Sequence, residues 1–277
     1  MKKVVITGAT SGIGLAIAKE MAFIGHHLIL GCRNIEKAEK VQQELSLAAP
    51  ECKIDVLEVD LADLSSIRDF ADLMNRKYKY IDVLINNAGV FSDTKKRTKD
   101  GYELTIGTNF LGQVLLTKLI LPLIKKADKG RIVNISSEAA LFGRIKITDS
   151  LFTKEGKGFI AYSKSKLAQL LYNIDLAEEL KDENISVNAV HPGHVATNIW
   201  KGESLLMKII GSMNTKKNMS SEKAAKICVE VALSDEYSNK TGMFYEKDGE
   251  IAYNKRCLDN DLRRNLMQMT NRILMKK

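Results

Sequence analysis

The stretch KVVITGATSGIG, residues 3–14, joins a short apolar run to a segment rich in glycine. The run VVI is typical of a buried strand, and apolar residues recur at helical spacing after the glycines. Gly8, Gly12 and Gly14 therefore lie in a predicted strand-to-helix turn, where glycine permits a tight bend and close approach of other backbone. The free N–H groups at the start of such a helix can bind a pyrophosphate, although a plain glycine-rich turn is the alternative.

The rest of the chain repeats this alternation of apolar runs and helical patterns. Six further strands are predicted, at HLILG (27–31), KIDVLEVD (53–60), IDVLINNAG (81–89), GRIVNISS (130–137), ISVNAVHPG (185–193) and GMFY (242–245). Strands this apolar, each followed by a helix, indicate a parallel sheet covered on both faces. We predict an α/β, Rossmann-type doubly wound fold of about seven strands, with residues 1–277 forming a single dinucleotide-binding oxidoreductase domain.

Composition excludes several other classes of protein. The chain has 277 residues, 45% of them hydrophobic, and a net charge of +8 that is spread out rather than clustered, so nucleic-acid binding is not expected. Its four cysteines form no C-x-x-C pair, which predicts reduced thiols and no metal site. The first apolar run is too short for a signal peptide, and the stretch 114–124 is too short to span a bilayer. We expect a cytoplasmic protein.

The end of the second strand bears on the choice of cofactor. An acidic residue there would hold the ribose hydroxyls of NAD, but the sequence is Gly31-Cys32-Arg33. A guanidinium suits a 2′-phosphate by charge and by its forked donors, so NADP(H) is favoured and NAD(H) is less expected. An ordinary surface arginine is the alternative. Asn34 follows as the expected N-cap of the next helix.

Four motifs in a fixed order carry a resemblance to a known family. They are NNAG (86–89), SS (136–137), YSKSK (162–166) and HPG (191–193). With the glycine turn, they make residues 3 to about 246 resemble the short-chain dehydrogenase/reductase family in its shorter subtype. The segments GCRN (31–34) and AVHPGHVAT (189–197), with added residues before the tyrosine, are most similar to its retinol-dehydrogenase-like branch.

The resemblance implies four catalytic residues. Tyr162 corresponds to the general acid/base, Lys166 to its helper, Ser137 to the donor that orients the substrate oxygen, and Asn109 to the residue thought to hold a relay water. Positions i and i+4 share a helix face, so Lys166 can lie beside Tyr162 while Lys164 points away. A nearby ammonium is expected to favour the phenolate. For Asn109, helix kinking or packing is an open alternative.

The resemblance also implies a set of cofactor contacts. Each is compatible with a structural turn role as well. The predicted set is Gly8, Ser11, Gly12, Ile13, Gly14, Arg33, Asn34, Asp60, Leu61, Asn87, Ala88, Gly89, Tyr162, Lys166, Pro192, Gly193, Val195 and Thr197.

Three segments are particular to this chain. Apolar residues between 141 and 159, and in a lid at about 198–222, could wall a pocket for a lipophilic substrate or could simply pack on the core. The extension at about 255–277 has apolar residues at helical spacing. We favour its packing on the domain or on another subunit over contact with a membrane surface. Members of the family often dimerise through the helices carrying Asn109 and Tyr162, so a homodimer is possible.

Together these observations predict an NADP(H)-dependent oxidoreductase that interconverts a carbonyl and an alcohol. Retinal-like, steroid-like and fatty-aldehyde-like molecules all suit the apolar lid. The alternative is a non-catalytic NADP(H)-binding regulatory or scaffold protein on the same fold.

Overall fold

A computed structural model describes residues 1–148, 150–154, 156–193 and 219–275. Most of the predicted lid, and the predicted contacts Val195 and Thr197, lie outside the described residues.

One sheet of eight strands runs through the molecule in the order β3-β2-β1-β4-β5-β6-β7-β8. Seven strands are mutually parallel, and β8 pairs antiparallel with β7. The inner strands are buried along their whole length, because helices cover both faces of the sheet. The strands are β1 (Lys3–Thr7), β2 (His27–Cys32), β3 (Ile54–Glu58), β4 (Val83–Asn86), β5 (Gly130–Ile135), β6 (Ile185–Val190), β7 (Phe244–Glu246) and β8 (Gly249–Glu250).

Seven helices of three turns or more occur in the described part of the chain. They divide between two apolar cores, one on each face of the sheet. Helices α1 (Gly12–Phe23), α2 (Ile35–Ala48) and α6 (Ser221–Leu233) cover one face. The other face is covered by α3 (Leu64–Lys77), α4 (Leu104–Ile124), α5 (Gly158–Glu179) and α7 (Asn260–Leu274).

The strand order reverses between β1 and β4, and this reversal places the site. From β1 the chain proceeds outward to β2 and β3, then returns to place β4 on the other side of β1. In open parallel sheets, ligands bind in the crevice outside the carboxyl ends of the strands at such a switch point. The predicted doubly wound fold is therefore confirmed.

The structure refines two details of the predicted sheet of about seven strands. The structure has eight strands, because Tyr245 pairs with Glu250 across a tight reversal that the short, polar run at 249–250 did not indicate. The predicted strand at 242–245 is shifted to Phe244–Glu246. Such edge strands are short, so their apolar pattern is weak and long-range pairing decides their limits.

The apolar stretch at 114–124 belongs to a longer helix than the sequence indicated. Helix α4 has 21 residues and a mean hydropathy of 1.4, so by length and composition it could cross a membrane. However, 83% of its apolar window is buried inside the described structure, as expected of the core helix of a globular protein. The stretch 114–124 is by itself too short to span a bilayer, and the longer helix that contains it lies mostly in the core.

The segment before α5 divides into buried and exposed parts. Leu151 and Phe152 lie in the core, and the Phe152 ring stacks on Phe110 at 6.0 Å. Ile145 and Ile147 pack partly buried against the same core. These four residues therefore have the packing role that was left open above. The exposed apolar residues of this segment are Leu141, Phe142, Phe159 and Ile160.

The C-terminal extension forms α7, which docks on its own domain. Leu266, Met267 and Leu274 are buried in the core that α3, α4 and α5 share. Arg263 donates a hydrogen bond to Glu178 of α5 at 2.7 Å, and Arg68 of α3 donates to the Leu274 carbonyl at 3.2 Å. This is the packing that the sequence favoured for the extension.

Candidate active site

The glycine-rich turn after β1 requires its glycines. Gly8 and Gly12 have φ values of +70° and +56°, a region that disfavours residues with a side chain. A Cβ at Gly8 would lie 3.0 Å from the Ala88 backbone, and a Cβ on Gly14 would collide with the Asn87 side chain and the Gly8 carbonyl. The turn, the start of α1 and the segment after β4 are therefore packed backbone to backbone.

Thr7 and Asn87 hold these segments together. The Thr7 hydroxyl oxygen accepts hydrogen bonds from the backbone N–H groups of Asn87, at 3.1 Å, and Ala88, at 3.0 Å. In return, the Asn87 amide donates to the carbonyls of Thr7, at 2.9 Å, and Gly8, at 3.2 Å. The glycine-rich stretch includes Thr7, but the sequence assigns it no role, because its contacts are visible only once β1 and β4 are adjacent.

The N-terminus of α1 is open to an anion. Ser11 is the N-cap residue, but its side chain makes no capping hydrogen bond, and no acidic residue lies in the first turn. The amide groups of this turn and the positive end of the helix dipole therefore face the crevice without an internal acceptor. Ile13 is half-buried beside it. This geometry fits a pyrophosphate.

The adenosine end of the crevice is formed by the segments after β2 and β3. Arg33 is exposed, and no carboxylate among the described residues forms an ion pair with it. Asn34 caps α2 by accepting from the Lys37 N–H at 2.8 Å. Asp60 accepts from the Ala62 N–H at 2.9 Å, and Leu61 is buried. The guanidinium of Arg33 is thus available to a phosphate at this edge of the sheet.

Tyr162, Ser137 and Lys166 come together at the carboxyl end of β5. The Tyr162 hydroxyl is hydrogen-bonded to the Ser137 side chain. Lys166 lies one turn along α5, with its Nζ 5.6 Å from the centre of the Tyr162 ring and donating to the Ile135 carbonyl at 2.9 Å. Lys166 is buried, whereas Lys164 is partly exposed. The adjacent Ser136 is buried and separate from this group.

Burial dominates the protonation of this pair. Burial raises the pKa of Tyr162 to about 12, although the hydrogen bond to Ser137 opposes the rise. Burial also lowers the pKa of Lys166 to about 7. Burial therefore outweighs the expected stabilisation of the phenolate by an ammonium. Tyr162 is held as a protonated phenol, which can donate a proton.

Asn109 connects α4, α5 and the segment after β4. Its side chain accepts from the Val90 N–H at 2.7 Å and donates to the Val90 carbonyl at 2.9 Å. It also donates to the Ser165 hydroxyl at 3.0 Å. Asn109 lies in a π-helical stretch, Gly107–Gly112, an irregularity often found at functional sites. By bonding to the Val90 backbone, the Asn109 side chain fixes the segment that also carries Phe91.

Phe91 is a site residue that the motifs missed. Its ring lies 5.8 Å from the Tyr162 ring at an angle of 57°. The neighbouring Ser92 carbonyl accepts from the Gly158 N–H at 2.7 Å, which fixes this loop to the start of α5. An aromatic residue two positions after NNAG was the available signal. Phe91 is thus an apolar neighbour of the Tyr162 ring.

The segment after β6 approaches the same edge. Pro192 is buried, and Gly193 has a φ of +81°, with Met219 close to where its Cβ would be. His191, Glu138 and Glu246 meet here with one potential metal-ligand atom each within 4.8 Å of the others. Closely spaced carboxylates are common without an ion, so this cluster does not by itself indicate a metal site.

Comparison with known proteins identifies the family. The sequence profile of the short chain dehydrogenases matches residues 2–205. This chain belongs to the short-chain dehydrogenase family. Within it, the chain is 40% identical over 214 residues to human retinol dehydrogenase 14, a match that covers 72% of this chain and 63% of that protein. It is 32% identical over 279 residues to human retinol dehydrogenase 13, and this match covers 99% of this chain and 84% of that protein.

A solved structure extends the similarity over the whole fold. An uncharacterised protein from Mycobacterium paratuberculosis superimposes with a TM-score of 0.80 at 30% identity, over 99% of this chain and 94% of that one. The family and its retinol-dehydrogenase-like branch, expected from the motifs, are confirmed. The match to retinol dehydrogenase 14 spans 63% of that relative's length, less than two thirds. Short-chain dehydrogenases use a nicotinamide cofactor.

Proposed function

We propose that this short-chain dehydrogenase interconverts a carbonyl and an alcohol on a lipophilic small molecule, using NADP(H). The observation that carries the proposal is the buried Tyr162 hydroxyl, hydrogen-bonded to Ser137 and followed one turn later by Lys166. These groups share the carboxyl edge of the sheet with the glycine turn at the switch point. The names of the relatives, retinol dehydrogenases, support a lipophilic substrate.

The crevice residues fit a dinucleotide. The uncapped N-terminus of α1 would hold the pyrophosphate, and the turn glycines would let it approach the backbone. Arg33, free of ion pairs with the described carboxylates, would hold a 2′-phosphate. When bound, the reduced nicotinamide would supply a hydride to the carbonyl carbon.

Tyr162 would then complete the reduction by giving its phenolic proton to the carbonyl oxygen. Ser137 would donate a hydrogen bond to the same oxygen and orient it, as donors in an oxyanion hole do. Burial favours the protonated phenol of Tyr162, which is the form that donates a proton in reduction. The phenolate that remains must be reprotonated before the next turnover. Phe91 would keep the reacting centre dry and favour an apolar substrate.

Substitution of the tyrosine tests this mechanism. Tyr162→Phe should leave NADPH binding, followed by nicotinamide fluorescence, nearly intact. It should lower turnover of a lipophilic aldehyde by about 100-fold to 10,000-fold, because the proton donor is lost. Tyr80→Phe, a half-buried tyrosine near the start of β4, is the matched control. If Tyr162→Phe retained most of the wild-type kcat, the assignment would be wrong. Wild-type protein that binds NADPH but reduces no lipophilic carbonyl would favour a scaffold role.

The choice of cofactor has a separate test. Arg33→Ala should weaken NADPH binding about 10-fold to 100-fold and leave NADH binding nearly unchanged, because only NADPH carries the 2′-phosphate. Arg76→Ala, an exposed arginine in the last turn of α3, is the control. Equal losses for the two cofactors would remove the argument for NADP(H).

A further inference from the structure

Four large apolar side chains form an exposed patch beside the reactive tyrosine. Leu141, Phe142, Phe159 and Ile160 are 43%, 67%, 46% and 73% exposed. The rings of Phe142 and Phe159 lie 5.8 Å apart, so the two halves of the patch are in contact. The close approach of this segment to α5 requires glycine at position 143, because a Cβ there would collide with the Ser163 carbonyl. Large contiguous apolar surface of this kind usually marks an interaction site.

The patch lies close in the chain to the residues of the candidate site. Leu141 and Phe142 end the short 3-10 helix Glu138–Phe142, which begins directly after Ser137. Phe159 and Ile160 lie in the first turn of α5, three and two residues before Tyr162. A partner seated on this patch would therefore contact the same two chain segments that carry Ser137 and Tyr162.

Basic side chains surround the patch. Arg144 and Lys157 lie two residues beyond Phe142 and two before Phe159, and Lys164 lies one turn from Ile160 on the same face of α5. Within the described residues, none of these three pairs with a carboxylate. Arg256 reaches the patch as well, since its guanidinium donates to the Leu141 carbonyl at 3.1 Å.

We propose that this patch docks on an anionic membrane surface. Exposed phenylalanine, leucine and isoleucine can enter the boundary between head groups and acyl chains, while arginine and lysine around them bind anionic lipid head groups. A second copy of this chain fits less well, because a twofold contact would bring the same cations face to face. The surface is separate from α7, whose apolar side packs on the domain. The inference does not depend on the proposed activity.

Such docking would deliver substrate from a lipid phase. The cytoplasmic leaflet is negatively charged, so peripheral binding would suit a cytoplasmic protein. A lipophilic molecule dissolved in that leaflet would then be concentrated near the segments that carry Ser137 and Tyr162.

Vesicle flotation with the full chain tests the proposal in the absence of cofactor and substrate. The protein should float with vesicles of phosphatidylcholine containing about one-third phosphatidylserine, and binding should weaken as salt screens the cations. Binding to pure phosphatidylcholine should be at least about tenfold weaker. Equal binding to both vesicles, or binding to neither, would overturn the proposal.

Two sets of variants separate the charged and apolar contributions. Arg144→Gln, Lys157→Gln and Lys164→Gln together should weaken binding about 100-fold, at roughly fivefold for each cation near an anionic surface. Lys129→Gln, Lys181→Gln and Lys226→Gln make the same change in net charge away from the patch and should have little effect. If both triple variants weakened binding equally, general charge rather than this patch would be responsible, and the proposal would fail.

The apolar contribution is tested in the same way. Phe142→Ser with Ile160→Ser should weaken vesicle binding at low and high salt alike, because apolar burial is insensitive to screening. Phe23→Ser with Leu47→Ser, two exposed apolar residues at the opposite edge of the sheet, is the control. Sedimentation velocity shows whether the patch mediates self-association instead. A dimer that the Phe142→Ser, Ile160→Ser pair dissolves would also overturn the proposal.

Discussion

Tyr162 and Lys166 show how spacing and burial act differently on single residues. Their i, i+4 separation predicts that the two side chains share a helix face, and Lys166 indeed lies next to the Tyr162 ring. Spacing says nothing about solvation. Because the structure buries both groups, each favours its neutral form, with the pKa of Tyr162 at about 12 and that of Lys166 at about 7.

The lowered pKa of Lys166 makes stability depend on pH. Between pH 7 and its ordinary value of 10.5, the unfolded chain binds a proton at Lys166 that the folded chain releases. Stability should therefore rise with pH across this window, and the cost of burying the ammonium should be fully present below pH 7. Lys166→Met removes that cost. Its stability advantage over the wild type, measured by urea unfolding of the cofactor-free protein, should be largest near neutrality and shrink in alkali.

Lys164→Met is the control for this measurement. Lys164 lies on the same helix but remains partly exposed, so its ammonium keeps its contact with water. The stability difference between Lys164→Met and the wild type should not change in step with that of Lys166→Met. If Lys166→Met showed a constant difference from the wild type across this pH range, Lys166 would be solvated in the folded protein, and its assignment as a buried helper would be wrong.

At the scale of helices and strands, a buried network of amides holds α5, the helix that carries Tyr162. Asn134 of β5 accepts hydrogen bonds from Asn86 at 3.0 Å and from Gln113 of α4 at 2.8 Å. It donates to Asn173 of α5 at 2.8 Å. Gln169 of α5 donates to Gln113 as well. Because Gln169 and Asn173 continue the helix face that carries Tyr162 and Lys166, this network fixes the register of α5 against the sheet.

Removing the centre of this network should destabilise the fold. Asn134→Leu keeps the side-chain volume similar but removes three hydrogen bonds. It leaves the Gln113 amide nitrogen and the Asn173 amide oxygen without those partners, whereas Asn86 still donates to Thr117. We expect a loss of about 2 kcal/mol or more in the free energy of unfolding, measured in urea, since each unpaired buried group costs about 1–3 kcal/mol. Asn75→Leu on the exposed side of α3 should change stability by less than about 0.5 kcal/mol. A loss at Asn134 no larger than at Asn75 would mean that the network contributes little.

The elements differ in how well the sequence predicts them. Local apolar patterns and turn residues predict the seven parallel strands and helix α1. The side chain of Asn34 predicts its role as a helix cap. Local patterns do not predict strand β8 or the full length of α4. Strand β8 depends on its pairing with β7. Helix α4 continues through Gly107–Gly112 because the surrounding core supports a π-helical stretch of poor local propensity.

At the scale of the whole molecule, the parallel topology assembles the site from distant segments. Motifs indicated Ser137, Tyr162, Lys166 and the glycine turn, since these residue types recur in a fixed order in the family. Phe91 belongs to no motif, and Thr7 stands in the glycine-rich stretch without a predicted role, because the roles of both are contacts between segments. The exposed patch was likewise hidden, since an apolar run does not tell which of its members the core will bury.

The C-terminal helix decides which surfaces are left for assembly. Helix α7 packs with Leu266 and Met267 in the core it shares with α5, and Arg263 bonds to Glu178 of α5. The helices that carry Asn109 and Tyr162, through which a homodimer was predicted as possible, are α4 and α5. Most of the apolar window of α4 is buried, and α7 packs on the core that it shares with α5.

We therefore expect the full chain to sediment as a monomer at micromolar concentration. A chain ending at Asn254 would leave the apolar surface under α7 open to water, because Leu266, Met267 and Leu274 would be gone. It should melt at a lower temperature and self-associate in sedimentation velocity, since exposed apolar surface drives association. The single change Leu266→Ala, expected to cost about 2–4 kcal/mol in urea unfolding, tests the same contact without truncation. A full chain that sediments as a stable dimer, unaffected by Leu266→Ala, would show that α7 does not control assembly.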